Sequence, residues 1–360
     1  MHTGNRIAWS IILLAGVVVM QGVPIAAAPE RVERTRTEVV ATIRQAGTSH
    51  PDWWGSVPLS YPKTLDLTWK KPPKGSDWDT RKNVGQYLWS VINENPGRWK
   101  QGAKFMHHVA EVNKNRADPQ TKAWNALGHI YADLLQDYAR GAYWWEKGGG
   151  QNVVGLADCY WRLGNKEMAV EKLGRVSFDG DRYGSAIRLW ADMGEPKRAM
   201  ALAESSAKRG NPAGAYLSAG NVSRLYGDYD LAIKYYERVL AVPAQGKRDW
   251  KFQKDLARSG IETIRVFEML DLTKIRNGTF EGTSMSFAGN LTVSVIVANS
   301  RISAVKVIQN KDKQFYSAIK ETTEKIVKQQ SLRNIDATTG ATVTSDAIVN
   351  ATAKALAEAR

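Results

Sequence analysis

The chain has 360 residues, 43% of them hydrophobic and 24% charged, with a formal net charge of +14. That composition is globular, long enough for two cores, and it excludes an intrinsically disordered protein. A single cysteine, Cys159, excludes an intrachain disulfide, a c-type haem and a protein-bound iron–sulfur cluster.

Residues 1–28 read as a targeting segment. Arg6 supplies the positive start, Ile7 to Met20 the apolar run, and Ala26-Ala27-Ala28 the small residues of a cleavage region. The pattern predicts a signal peptide cut after Ala27, since Pro29 hinders a cut after Ala28. The alternative is an uncleaved anchor over residues 7–28, which are nearly long enough to span a bilayer. Both predict export, to the periplasm or the extracytoplasmic face of a membrane. The basic residues are spread along the chain rather than clustered. In an exported protein that charge points to anionic membrane or cell-wall surfaces and away from nucleic acid.

Residues 29–77 open with the polar helix or tether RVERTRTEVVATIRQ and continue as a Pro/Trp-rich extended strap. Prolines 51, 58, 62, 72 and 73 deny it a long helix. Its tryptophans, with Trp78 just beyond, are expected to pack on the following helices, a sugar-stacking platform being the alternative.

Residues 78–262 read as helices with short breaks. WNALGHIY places Trp124, Leu127, Gly128 and Tyr131 at the W-x2-L-G-x2-Y spacing. Gly164, Gly194 and Gly227 recur as turn residues, each followed five positions later by Ala169, Ala199 or Ala232. The period is near the ~34 residues of the tetratricopeptide repeat, which this region resembles, most closely in the unit carrying Tyr236 and Pro243. Such arrays usually dock a partner protein. The adjacent histidines His107 and His108 point about 100° apart on a helix, so no metal site is expected there.

From residue 263 to 360 the period changes. NGTFEGTSMSF, NLTVSVIVA and RISAVKVIQ read as strands, with a hairpin break at Ala298-Asn299-Ser300. A helix with Phe315, Ile319 and Ile326 on one face follows, then an alanine-rich helix expected to be capped by Thr344 or Ser345. The predicted fold is therefore two-domain: an all-α tetratricopeptide-like helical repeat array, then a small α+β domain.

Between the last two helices lies DATTGATVTS. Asp336, Thr339, Gly340, Ala341 and Thr342 spell D-x-x-T-G-A-T. An ordinary loop with a helix cap can look the same, because hydroxyl residues favour such places. The full spacing, with the strands and helices around it, resembles the FMN-binding domain of flavin subunits in sodium-translocating NADH:quinone reductase and Rnf-type complexes. That resemblance covers about Leu272 to Ala359. It implies covalent FMN, joined by a phosphoester to Thr342 by a FAD:protein FMN transferase, with Thr338 and Thr344 as minor competing acceptors. A phosphoester needs an accessible hydroxyl and surroundings that tolerate negative charge. A helix starting near Ser345 offers unpaired N–H groups just after Thr342, Gly340 allows close approach, and Ala341 keeps bulk away. Thr339, Thr344 and Ser345 are candidate phosphate ligands or caps; Asp336 orders the turn or is read by the transferase. Phe280, Met285 and Phe287 are candidates to face the flavin ring. No G-x-G-x-x-G fingerprint is present, so NADH oxidation by this chain is not expected. The predicted function is an exported electron carrier serving redox partner proteins, some of them membrane-bound. Alternatives are a small flavin-dependent reductase, or an envelope scaffold in which the flavin is secondary.

Overall fold

The computed structural model describes residues 32–72, 77–174, 183–246, 248–269, 274–312, 316–333, 335 and 341–359. The targeting segment of residues 1–28 lies outside them. No helix among the described residues is long and apolar enough to cross a membrane.

Helix α1 (Arg36–Thr48) starts at a capping box: the Glu38 amide donates to Thr35 Oγ1 (3.3 Å) and the Thr35 amide to Glu38 Oε2 (2.7 Å). With that start and no proline between Thr35 and Pro51, residues 36–48 of the 29–77 stretch form a helix. Val39 and Ile43 are buried in the array's core. Upstream, the Arg34 amide donates to the Gly164 carbonyl (2.9 Å) and Asn165 Nδ2 to the Arg34 carbonyl (2.7 Å). The proline-rich remainder is a strap of turns whose Trp53, Tyr61, Leu65 and Trp69 pack on the first helices. Trp78 alone among the four tryptophans is mostly exposed.

The array begins with α2 (Val84–Tyr87), which runs into a π turn at Leu88–Ile92, then α3 (Trp99–Val112). Helix α4 (Ala117–His129) runs into a second π turn at Ile130–Leu134. Antiparallel hairpins follow: α5 (Tyr138–Lys147), α6 (Val153–Arg162), α7 (Lys166–Gly174), α8 (Tyr183–Asp192), α9 (Pro196–Lys208), α10 (Pro212–Leu225) and α11 (Tyr229–Ala241). Gly164, Gly194 and Gly227 end helices with φ of +96°, +78° and +78°, the left-handed turn that favours glycine. Ala169, Ala199 and Ala232 are fully buried where paired helices approach. In WNALGHIY, Leu127 and Tyr131 are buried, and Gly128 faces the Trp145 ring, which a Cβ would strike at 2.2 Å.

Helix α12 (Lys251–Met269) crosses the 262/263 boundary without a break. Ala257, Ile261 and Ile264 lie in a core with Tyr236 of α11. Its other side meets the α+β part, where the Ser259 and Ser284 hydroxyls are 2.9 Å apart. Strands β1 (Gly278–Ser286), β2 (Gly289–Ala298) and β3 (Arg301–Gln309) form an antiparallel sheet in that order. Asn299 and Ser300 both have positive φ, the turn that suits a two-residue hairpin. Leu291, Val293, Val295 and Val297 alternate onto one face and share a core with α13 (Tyr316–Gln329) and α14 (Thr342–Glu358). Ile326 is buried and Ile319 partly so; Phe315 lies outside the described residues. The alanines of α14 let β1 come close: a Cβ on Gly282 would sit 2.1 Å from the Ala351 carbonyl oxygen. Array and α+β part together form one compact unit, residues 31–360.

Candidate functional site

The motif meets the fold at the start of α14. Asp336, Thr338, Thr339 and Gly340 lie outside the described residues. Ala341 is buried and occupies the N-cap position, where no described side chain caps the helix. Thr342 is the first residue of α14. Its Oγ1 has under 1 Å² of accessible surface and no hydrogen-bond partner. The expectation of an accessible hydroxyl is thus not met; the atom is shielded and polar-unsatisfied. Nine other side-chain atoms among the described residues share that state, so it is the place of Thr342 at the uncapped helix start, together with the missing bond, that marks it.

Thr344 and Ser345 do not cap the helix. The Ala341 carbonyl already accepts from the Ser345 amide (2.9 Å), so the helix begins three residues before Ser345 and both residues lie within its first turns. Thr344 is 1% exposed and donates to Asp312 Oδ2 (2.6 Å). It is therefore neither an open phosphate ligand nor a competing acceptor. Ser345 is 2% exposed, which removes it as an open ligand as well.

Asp312 was not legible as a site residue. It stands in NKDK, a charged run that reads as a solvated loop. In the fold it is 3% exposed and accepts from the Ser286 hydroxyl, the Ala288 amide (2.7 Å) and Thr344. One carboxylate thus joins the β1–β2 turn to the first turn of α14.

That turn decides among the ring candidates. Phe287 is 64% exposed on it, beside the clamped Ser286 and Ala288, with the Phe252 ring edge-on at 6.4 Å. Phe280 belongs to the core of the α+β part. It lies six strand residues from Ser286, roughly 20 Å away, so it does not face the motif. Met285 alternates onto the opposite face of the sheet from Ser284 and Ser286, away from α14.

A second polar cluster joins α14 to the array, and sequence reasoning missed it too. Arg224 Nη2 donates to Asp346 Oδ1 (2.7 Å) and its Nη1 to Asn350 Oδ1 (2.9 Å). Asn221 Nδ2 donates to Asp346 Oδ2 (2.7 Å), and the Tyr236 hydroxyl to Asn221 Oδ1 (2.7 Å). Thr263 donates to Asn350 Oδ1 (2.8 Å). Burial opposes the Arg224 charge, but Tyr236 and Asp346 beside it prevail and raise its pKa. Burial pushes the Tyr236 hydroxyl up to about 12. The only sequence signal was an aspartate and an asparagine in the alanine-rich first half of that helix.

Residues 287–357 match the FMN-binding domain family, and residues 213–245, the α10–α11 hairpin, match the tetratricopeptide repeat. No curated protein and no solved structure matches the chain. The C-terminal part is therefore an FMN-binding domain preceded by tetratricopeptide-like repeats. The residues present suit the cofactor's phosphate: an orphaned hydroxyl stands at a helix start with no side-chain cap, where backbone N–H groups and the helix dipole favour an anion.

Proposed function

We propose that this FMN-binding protein is an exported electron carrier whose FMN is bonded through its phosphate to Thr342. The unsatisfied Thr342 Oγ1 at the uncapped start of α14 carries the reading. In the attachment step a FAD:protein FMN transferase uses FAD as donor. Thr342 Oγ1 bonds the phosphorus next to the riboflavin part and loses its proton to a base. The bond between the two phosphates breaks, and AMP leaves with the electron pair.

When bound, the flavin supplies reversible electron transfer. The residues of this chain hold and shield it. The first-turn amides of α14 would hold the phosphate, while Asp312 fixes the β1–β2 turn and Thr344 in one register. Phe287 offers exposed aromatic surface at the edge of that clamp, with the half-buried Phe252 ring beside it. The tetratricopeptide-like hairpins are the surface for a redox partner, and the basic chain suits an anionic envelope surface after export.

Intact mass after co-expression with a transferase tests the proposal. The wild type is expected to gain one FMN minus water and Thr342→Ala to gain nothing. A wild type of unmodified mass, or a modified Thr342→Ala, refutes the assignment.

A further inference from the structure

The buried arginines of the helical array meet α14 one turn below the attachment residue. Thr342 and Asp346 are four residues apart on a helix, so they share a face with Cβ atoms about 5–6 Å apart. Arg224, from α10, forks across Asp346 and Asn350 and so grips the next turn of α14. Arg188, from α8, is 4% exposed; its Nη1 lies 3.9 Å from Asp346 Oδ1 and its Nη2 donates to the Ile335 carbonyl (3.4 Å). Ile335 immediately precedes the motif and Asp346 follows it. Arg188 therefore ties together the two ends of the segment that carries Thr342. Its Nε is held in turn by Asp192 (2.9 Å).

Two guanidinium groups in a protein interior are an expensive way to gain stability. Desolvating each ion costs several kcal/mol, and hydrophobic replacements of such pairs are often neutral or better. What the arginines supply that leucine could not is a fixed, directional register at one place, since Asp192 and Asp346 offset their charge. That place is the start of the flavin-bearing helix.

We infer that Arg188 and Arg224 are positioning residues for the flavin site, so that the helical array builds part of that site as well as offering a docking surface. The inference rests on the proposed attachment at Thr342. The array fixes Ile335 and Asp346 on either side of Thr342 and so presents Thr342 in one orientation. Transfer of FMN should then depend on side chains of α8 and α10 that lie outside the residues matching the FMN-binding domain.

The test is timed FMN incorporation into the full chain by a transferase with FAD, for wild type and four variants. Arg224→Met/Asp346→Leu replaces the ion pair with apolar groups of similar size, and Arg188→Met removes the second guanidinium. Arg224→Lys keeps the charge and loses the fork. Arg238→Met, a surface arginine stacked on Tyr216, is the control. We expect at least a tenfold fall in incorporation rate for the double variant and Arg188→Met, several-fold for Arg224→Lys, and none for the control. The visible circular dichroism of flavin in Arg224→Lys should differ from wild type while the far-ultraviolet spectrum is unchanged. A purely structural role would not produce that pair of results. Wild-type incorporation and wild-type visible dichroism in Arg224→Lys overturn the inference even if the other variants fail to fold. A wild type that takes up no flavin refutes the attachment itself, an outcome distinct from equal loading of all variants.

Discussion

Replacing Asp312 by alanine removes the acceptor that joins the β1–β2 turn to α14. The carboxylate takes three hydrogen bonds, two of them from hydroxyls that are each 1% exposed, Ser286 and Thr344. A buried donor left without its acceptor costs about 1–3 kcal/mol. The Ala288 amide sits at a half-exposed turn and can turn to water, so it adds little. Hydroxyls can also rotate toward other acceptors, which lowers the sum to roughly 2–4 kcal/mol for Asp312→Ala. Against a usual total of about 5–15 kcal/mol, the variant should fold but with a visibly lower urea midpoint at unchanged slope. Asp312→Asn keeps the volume and one carbonyl oxygen and should lose less. Hydrogen exchange locates the effect: amides at the start of α14 should exchange faster, whereas those of α3 and α4 should not. An Asp312→Ala stability within about 0.5 kcal/mol of wild type would refute the clamp.

Other outcomes follow from the same contacts. His107 is half-buried against Tyr131, its pKa lowered to about 3 by desolvation and by the nearby His50, Lys147 and Arg140. The unfolded chain takes up this proton as pH falls through 6.5 while the folded chain does not, so stability declines from pH 6.5 toward that lower value. The slope is up to about 1.4 kcal/mol per pH unit from this group, and melting curves of His107→Gln should be flatter above the carboxylate range. Equal slopes for variant and wild type would discard the assignment. Gly282→Ala puts a methyl 2.1 Å from the Ala351 carbonyl oxygen and 2.6 Å from the Ala355 amide nitrogen. Backbone cannot yield there as a side-chain tip would, so a loss of about 3 kcal/mol or more, or insoluble protein, is expected. An unchanged melting temperature would show that β1 and α14 are farther apart.

Local sequence was enough for the elements whose causes are local. The turn glycines 164, 194 and 227 and the alanines that follow them specify close-packed helical hairpins, because each unit repeats one short-range steric solution. The alternation in NLTVSVIVA and the Asn299-Ser300 turn specify the β hairpin for the same kind of reason. The threonine motif was legible as a spacing ahead of the last helix. The start of that helix was placed too late, since Thr344 and Ser345 looked like caps when read by propensity alone. Their hydroxyls go elsewhere because Asp312, distant in sequence, reaches Thr344 across the fold. Phe280, Met285 and Phe287 were equivalent in one dimension; strand direction and the two faces of the sheet separated them.

The sequence by itself determined which pieces the chain makes and which residue types could carry a flavin. Only the tertiary structure decided that those pieces share one interior, with Arg188 and Arg224 of the array buried against the helix that bears Thr342. Hydrophobic period and turn chemistry are written within about one helical turn or one strand pair. A buried ion pair between residues more than a hundred positions apart leaves no such trace, because each partner alone looks like a surface charge until packing removes the water around it.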